Sequence, residues 1–136
     1  FGQAVRARSE LGGGWTGWVV AVDDITPHEQ RHGREAVNGN RKLSDGTELL
    51  WKQLGVKGLQ ADPQLPFFVE FISDDSMHPS HGGSGAVSLE ALEIGGDPAQ
   101  SVEQPLEDVK VEWVAPNGAP GINAAQFLTP SGLVRI

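Results

Sequence analysis

Residues 36–54 of the chain read AVNGNRKLSDGTELLWKQL, and the fold can be worked out from this stretch. The dipeptide Asp45-Gly46 divides it into two strand-like runs, residues 36–43 and residues 47–54. Asp-Gly is a preferred pair in the tight turns that join antiparallel strands. The stretch therefore predicts a β-hairpin that closes at this dipeptide.

Residues 65–71, which read LPFFVEF, predict a further strand with an acidic side chain in its middle. Alternation along a strand puts Glu70 on the same face as Phe68 and Ile72. A carboxylate between two apolar side chains costs free energy unless it binds a partner. The alternatives for Glu70 are a bound ligand, open solvent or an ion pair with Arg41.

Two histidines, His78 and His81, follow this strand within a few residues. A glutamate on a strand with histidines nearby is one way to hold a divalent metal ion. His78 and His81 therefore form a candidate metal site together with Glu70. The other interpretation is an exposed loop, because histidines three apart are common by chance.

The residues before the hairpin predict a strand and a short helix. Residues 15–22 are β-branched and aromatic, which is typical of a strand. Thr26 is a candidate cap, Pro27 suits the first helical position, and Glu29 completes a capping box. The helix is expected to end near Gly33.

Loops and further strands fill the rest of the chain. Gly55, Gly58 and Pro63 predict a loop before residue 67, and the polar residues 73–85 predict a second one. A second set of elements then follows in the same order: a strand (87–94), a short helix or turn at Asp97-Pro98, a half-buried strand (109–113), a hairpin turn at Asn117-Gly118, and two strands (121–129 and 132–136).

Composition excludes several classes of function. The chain has 136 residues and a net charge of −8, so nucleic acid and anionic membranes are not expected partners. No apolar run is long enough to span a bilayer. There is no cysteine, which excludes disulfides and thiolate chemistry and makes a cytoplasmic protein the default. The chain begins with Phe1 rather than methionine, which predicts a processed or truncated start.

Four segments together resemble the glyoxalase-like domain family of the vicinal oxygen chelate superfamily, which includes glyoxalase I, extradiol dioxygenases and bleomycin-resistance proteins. The segments are residues 17–25, residues 38–52, residues 65–71 and the pair His78-Pro79. The resemblance implies an α+β fold in which paired βαβββ modules form a curved, mostly antiparallel sheet. The glycines at 12–14 end a predicted lead-in segment at 1–14, and a glyoxalase-like domain is expected at 15–136. Its first module is at about 15–72, and a degraded second module at about 86–136 is predicted from element order alone.

The resemblance also implies a site in the concave face of the sheet. Glu70 matches the glutamate that binds metal in the family, and it would act as ligand or base. A zinc, nickel, manganese or iron ion would be the cofactor of a lyase, isomerase or dioxygenase. Gly17, however, occupies the position of an expected histidine, and the few residues given before it lead us to expect that the preceding module of the family is missing.

Two alternatives to a metal enzyme follow. One is a non-catalytic protein that sequesters a small organic molecule, and the other is a fragment that functions only with a missing N-terminal module. A homodimer, or pairing with that module, would complete the site. Under the binding hypothesis the ligand-binding residues are Trp18, Arg41, Trp51 and Phe68, and the alternative for the large aromatics is a place in the core.

The segment His28-Glu29-Gln30-Arg31-His32 resembles the HExxH signature of zinc proteases. That signature needs a long helix and a third ligand, whereas Gly33 ends this helix at once. We therefore do not assign a protease function to the segment.

Overall fold

The computed structural model describes residues 2–10, 12–97, 108–115 and 120–136. Within these ranges no helix is long and apolar enough to cross a bilayer. The elements, in chain order, are α1 (Gly2–Glu10), β1 (Val19–Ala21), α2 (Thr26–His32), β2 (Val37–Lys42), β3 (Glu48–Leu54), α3 (Val56–Ala61), β4 (Phe67–Phe71), two 3-10 turns (Asp75–Met77 and Pro79–Gly82), β5 (Ser88–Gly95), β6 (Lys110–Val114), β7 (Gly121–Thr129) and β8 (Gly132–Arg135). The α+β fold class is confirmed.

The described residues divide into two compact units. The first unit comprises residues 19–57 and 66–83, and the second comprises the described parts of 1–18, 58–65 and 84–136. Each unit contains one four-stranded sheet. The predicted module boundaries, 15–72 and 86–136, stay a prediction.

The sheet of the first unit has the strand order β1-β4-β3-β2. β1 runs parallel to β4, while β4 pairs antiparallel with β3, and β3 with β2. The predicted strand, helix and three strands are therefore present, although β1 is shorter than residues 15–22.

The predicted hairpin between β2 and β3 is confirmed. Lys42 pairs with Glu48 at its closed end. In the turn, Asp45 Oδ1 accepts a hydrogen bond of 2.9 Å from the Thr47 nitrogen. Gly46 has a φ of +90°, a conformation that a residue with a Cβ rarely adopts. Local turn chemistry thus determines where the hairpin closes.

The start of α2 differs from the prediction. Thr26 is the first helical residue, and Ile25 occupies the cap position without a side-chain hydrogen bond. Carboxylates from outside the helix bind the free backbone groups there: Asp24 Oδ1 accepts from the Thr26 nitrogen (2.9 Å) and Glu70 Oε2 from the Ile25 nitrogen (3.0 Å). The predicted cap was wrong because neighbouring acids supply the acceptors.

The predicted capping box is wrong as well, whereas the helix end is confirmed. Glu29 Oε1 accepts a hydrogen bond of 2.6 Å from the Ala36 nitrogen instead of reaching back to the cap. Gly33 has a left-handed φ of 57° and its nitrogen donates to the Gln30 carbonyl. A glycine in this conformation is a common helix terminator.

The segment before β4 was predicted as a loop, but Val56–Ala61 form the short helix α3. Gly55 has a φ of +95° and lies against the backbone of Phe67, so the chain turns at Gly55 and then makes one helical turn. Gly58 weakens a helix interior but does not prevent a single turn.

The sheet of the second unit has the order β6-β5-β7-β8. β5 pairs parallel with β6 and antiparallel with β7, and β7 pairs antiparallel with β8. In the first sheet the parallel pair joins the first and last strands, whereas here it joins two consecutive strands. The predicted repeat of element order therefore does not extend to strand pairing. The short helix or turn predicted at Asp97-Pro98 and the hairpin turn predicted at Asn117-Gly118 extend outside the described residues.

Candidate functional site

The two faces of the first sheet differ in chemistry. α2 packs on the face that we call the helix face, where the ring of His28 stacks on Phe68 at 4.2 Å between centroids. Strand alternation and register assign the opposite face, which we call the aromatic face. The aromatic face consists of Val19, Ala21, Val37, Gly39, Arg41, Leu49, Trp51, Gln53, Phe67, Val69 and Phe71.

Trp51 forms the centre of the aromatic face. It pairs with Gly39 on β2 and with Phe71 on β4, so these three residues form a row across the sheet. A Cβ placed on Gly39 would overlap the indole atoms Cε2 and Nε1. The indole therefore lies over the glycine backbone, a position that only glycine leaves free. Trp51 Nε1 donates a hydrogen bond of 3.1 Å to Gln53 Oε1, which holds the ring in this orientation.

His78 borders the same face through Phe71. The two rings meet edge to face, with centroids 4.4 Å apart and planes at 74°. His78 Nδ1 accepts a hydrogen bond of 3.2 Å from the Ser80 nitrogen. Because a backbone N–H can only donate, the neutral imidazole carries its proton on Nε2. His78 therefore offers an N–H donor beside the aromatic row.

Arg41 lies at the β2 edge of the aromatic face, opposite Leu49. Its side chain is exposed. Arg41 does not pair with Glu48 across the hairpin, because Glu48 accepts a hydrogen bond of 2.5 Å from Asn40 on the helix face. Arg41 and Trp51 are the two predicted ligand-binding residues that the structure brings to one face.

Glu70 and Phe68 lie on the helix face instead. Lys52 stands directly opposite Glu70 in the register, although the described residues show no ion pair between them. Glu70 Oε2 instead accepts from the Ile25 nitrogen at the start of α2. Glu70 and Phe68 were expected to line the ligand site. In the structure they lie on the face on which α2 packs.

His28 is the buried polar residue of the helix face, with only 5% of its surface exposed. Its Nδ1 has no hydrogen-bond partner among the described residues. The pKa of His28 is lowered from 6.5, first by burial and then by the positive charges of Arg31 and His32, against a smaller opposing effect of Asp24. The imidazole is therefore neutral at pH 7 and fills space in the core.

The three predicted metal ligands do not converge. Glu70 points toward α2, whereas His78 contacts Phe71, whose side chain leaves β4 on the opposite face. His81 Nε2 lies 3.2 Å from Asp75 Oδ2 in an exposed loop pair. The described parts of the chain contain no cluster of three or more metal-ligating side chains. These residues, as placed, do not fit the single metal site that the family resemblance implies.

Trp18, the fourth predicted ligand-binding residue, belongs to the second unit. It is buried, with 6% of its surface exposed, and its Nε1 donates a hydrogen bond of 3.0 Å to the Gln64 carbonyl. Its packing is that of a core residue with a satisfied indole, the alternative that we had kept open for the large aromatics.

A charged cluster in the second unit escaped the sequence analysis. Glu93, on β5, is 8% exposed and receives two hydrogen bonds of 2.6 Å from Arg135 and one of 3.0 Å from Gln126. The Arg135 hydrogen bonds, and then that of Gln126, lower the pKa of Glu93 to about 2. The sequence signal for Glu93 is the same as for Glu70, an acid between apolar neighbours within a predicted strand.

Comparison with known proteins agrees with this architecture. The profile of the glyoxalase-like domain family matches residues 1–109. No curated protein matches the chain significantly. Among solved structures, the chain is similar to a hypothetical protein from Staphylococcus aureus, with a TM-score of 0.54 and 13% identity, over 95% of this chain and 68% of that one. At this identity the likeness concerns the fold alone. The family profile matches most of the chain, and the first unit has the βαβββ order of elements. The chain therefore belongs to the glyoxalase-like domain family, in the vicinal oxygen chelate superfamily.

Proposed function

We propose that this chain binds a small organic molecule with a flat ring, and that the molecule stacks on Trp51 at the aromatic face. The observation that carries the proposal is the half-buried indole of Trp51, which occupies the space over the Gly39 backbone and which we call the platform. Phe71 and His78 continue the aromatic surface beside it. Ligand sites are commonly lined by aromatic side chains with a few polar groups.

The platform is suited to binding because its orientation is already set. Gln53 accepts the indole N–H, and glycine at position 39 leaves the space in which the ring lies. A ligand therefore does not have to order the ring, which reduces the entropic cost of association. Stacked aromatic pairs contribute about 0.5–1.5 kcal/mol beyond the area that they bury.

Of the functions known in the family, the geometry best supports ligand binding without catalysis. Metal-dependent chemistry, as in lyases, isomerases or dioxygenases of the superfamily, requires ligands that converge, and Glu70, His78 and His81 do not. We therefore derive no catalytic step through a metal.

The proposal extends to assembly and location. We propose a homodimer, because β1 and β2 are edge strands of the first sheet and open edges associate readily. A cytoplasmic location is the default for a chain without cysteine. Light scattering at micromolar concentration measures the oligomeric state. A monomer at all concentrations would contradict the proposed dimer.

The binding test uses 2-naphthamide and 2-naphthoate as probes, with affinities measured by calorimetry. We expect Trp51→Leu to weaken binding of both probes at least tenfold. Gly39→Ala should weaken it similarly, because the new methyl group displaces the indole without deleting it. Gly82→Ala is the matched control, since a Cβ at Gly82 meets open space.

Circular dichroism and thermal unfolding would show that the variants remain folded. If neither probe binds the wild-type protein, or if both bind Trp51→Leu as well as wild type, the proposed function is wrong.

A further inference from the structure

We infer that the ligand of the aromatic face is an aromatic carboxylate, and that Arg41 binds its carboxylate. The inference rests on the proposed function, because it assumes that the ring stacks on Trp51. It adds the chemical class of the ligand and the residue that selects it.

The first argument is the segregation of charge between the two faces of the sheet. The helix face carries charged side chains of both signs on its strands, namely Lys42, Glu48, Lys52 and Glu70. Along the same strands, the aromatic face carries one charged side chain, Arg41. Because neighbouring residues on a strand point to opposite faces, this distribution follows directly from the alternation of the sequence.

The second argument is that Arg41 has no acidic partner within the described part of the chain. The nearest candidate across the hairpin, Glu48, is bound to Asn40 on the other face. Although acidic residues outnumber basic ones by 18 to 10 in the chain, none of the described acids pairs with this guanidinium. An unpaired guanidinium next to an apolar surface is a ready binding group for an anion.

The third argument is position. Arg41 is two residues from Gly39 on β2, which places the two Cα atoms about 7 Å apart along the strand. Arg41 is therefore the diagonal neighbour of Trp51 across the β2–β3 pair. Long side chains can bridge the distance between such diagonal neighbours. A ring stacked on the indole over Gly39 can extend a substituent along β2 toward the guanidinium.

The chemistry of the guanidinium then selects the class of anion. Its planar fork matches a carboxylate with two parallel hydrogen bonds. A single arginine in an acidic protein does not balance the charge of a polyphosphate. The His78 Nε2–H adds a further donor at the border of the face. These features together describe a monoanion on a flat ring.

The experiment compares three probes that share one ring and differ in charge: 2-naphthoate, 2-naphthamide and 2-naphthylmethylammonium. We expect wild-type protein to bind 2-naphthoate about tenfold more tightly than 2-naphthamide, and the ammonium probe most weakly. Arg41→Gln should bring the affinities for 2-naphthoate and 2-naphthamide within twofold of each other, chiefly by weakening the binding of 2-naphthoate.

Lys42→Gln is the matched control. It removes the same charge from the neighbouring residue on the opposite face, so the tenfold preference should persist. If Lys42→Gln lowers the preference as much as Arg41→Gln, the effect is one of net charge and the inference is wrong.

Two outcomes separate this inference from the proposed function. If wild-type protein binds the amide or the ammonium as well as the acid, and Trp51→Leu loses them all, the aromatic face binds rings but Arg41 does not select carboxylates. If no probe binds, or Trp51→Leu changes nothing, the proposed function fails and this inference fails with it.

Discussion

Glu70 Oε2 accepts a hydrogen bond of 3.0 Å from the backbone nitrogen of Ile25, and this contact joins the middle of β4 to the start of α2. Ile25 is fully buried. Its N–H lies at the helix start, where intrahelical acceptors are lacking. The carboxylate that the sequence singled out as a metal ligand therefore helps to attach the helix to the sheet.

Removal of this acceptor should destabilise the protein. We expect Glu70→Ala to lower the free energy of unfolding by about 1–3 kcal/mol, because the buried Ile25 N–H loses its partner. Glu70→Gln retains an oxygen acceptor and should lose less. Urea denaturation measures both. Glu10→Ala, which breaks an exposed pair with Arg6, is the control and should change stability by about 0.5 kcal/mol or less.

The buried His28 predicts that stability decreases in mildly acidic solution. Its pKa is lowered in the folded protein, so between that value and 6.5 the unfolded chain binds more protons than the folded one. The free energy of unfolding should therefore fall as the pH falls below 6.5. In His28→Phe the slope between pH 6.5 and pH 5 should decrease, and in the exposed-site control His81→Gln it should not. An unchanged slope in His28→Phe would show that His28 is not the titrating group.

We expect the protonation of Glu93 to cause a separate loss of stability at lower pH. Its pKa is lowered from 4.5 to about 2 by Arg135 and Gln126, so its contribution to stability is complete above pH 4.5 and is lost as the pH falls through about 2. Glu93→Gln should remove that dependence and cost about 1.5–3 kcal/mol at pH 7. Thermal unfolding between pH 2 and pH 7 measures it. A variant that unfolds as the wild type does at every pH would contradict the prediction.

The sequence predicts metal binding through Glu70, His78 and His81, whereas the hydrogen bond of Glu70 to Ile25 argues against Glu70 as a ligand, and one variant decides between the two. Because Glu70 is already bonded to Ile25 and faces away from Phe71 and His78, we expect Glu70→Gln to leave metal uptake at the wild-type level. Calorimetric titration of metal-free protein with zinc, nickel, manganese and ferrous iron measures uptake. Stoichiometric binding by wild type that disappears in Glu70→Gln would instead establish Glu70 as a ligand.

Several parts of the fold could be predicted because their causes are local. Asp45-Gly46 closes the hairpin, Pro27 and Gly33 bracket α2, and the apolar run at 67–71 forms a strand. In each case the sequence signal itself lies within a few residues of the chain. The family resemblance rested on these same segments.

The site could be predicted only in part. Alternation correctly grouped Glu70 with Phe68, but no pattern within the strand could show which face α2 would cover. Arg41 and Trp51 were singled out, yet their common face became visible only once the register of β2 against β3 was known. Glu93 and Arg135 are 42 residues apart, and only the arrangement of β5, β7 and β8 brings them together.

The sequence by itself thus determined the strands, the turn and the periodic division of side chains between two faces, since these depend on backbone preferences and on a period of two residues. The tertiary structure decided what each face does. The stacking of His28 on Phe68 attaches α2 to one face. The absence of a side chain at Gly39 leaves room for the Trp51 indole on the other. Both depend on contacts between residues that are distant in the chain, and such contacts form only when the strands take up their register.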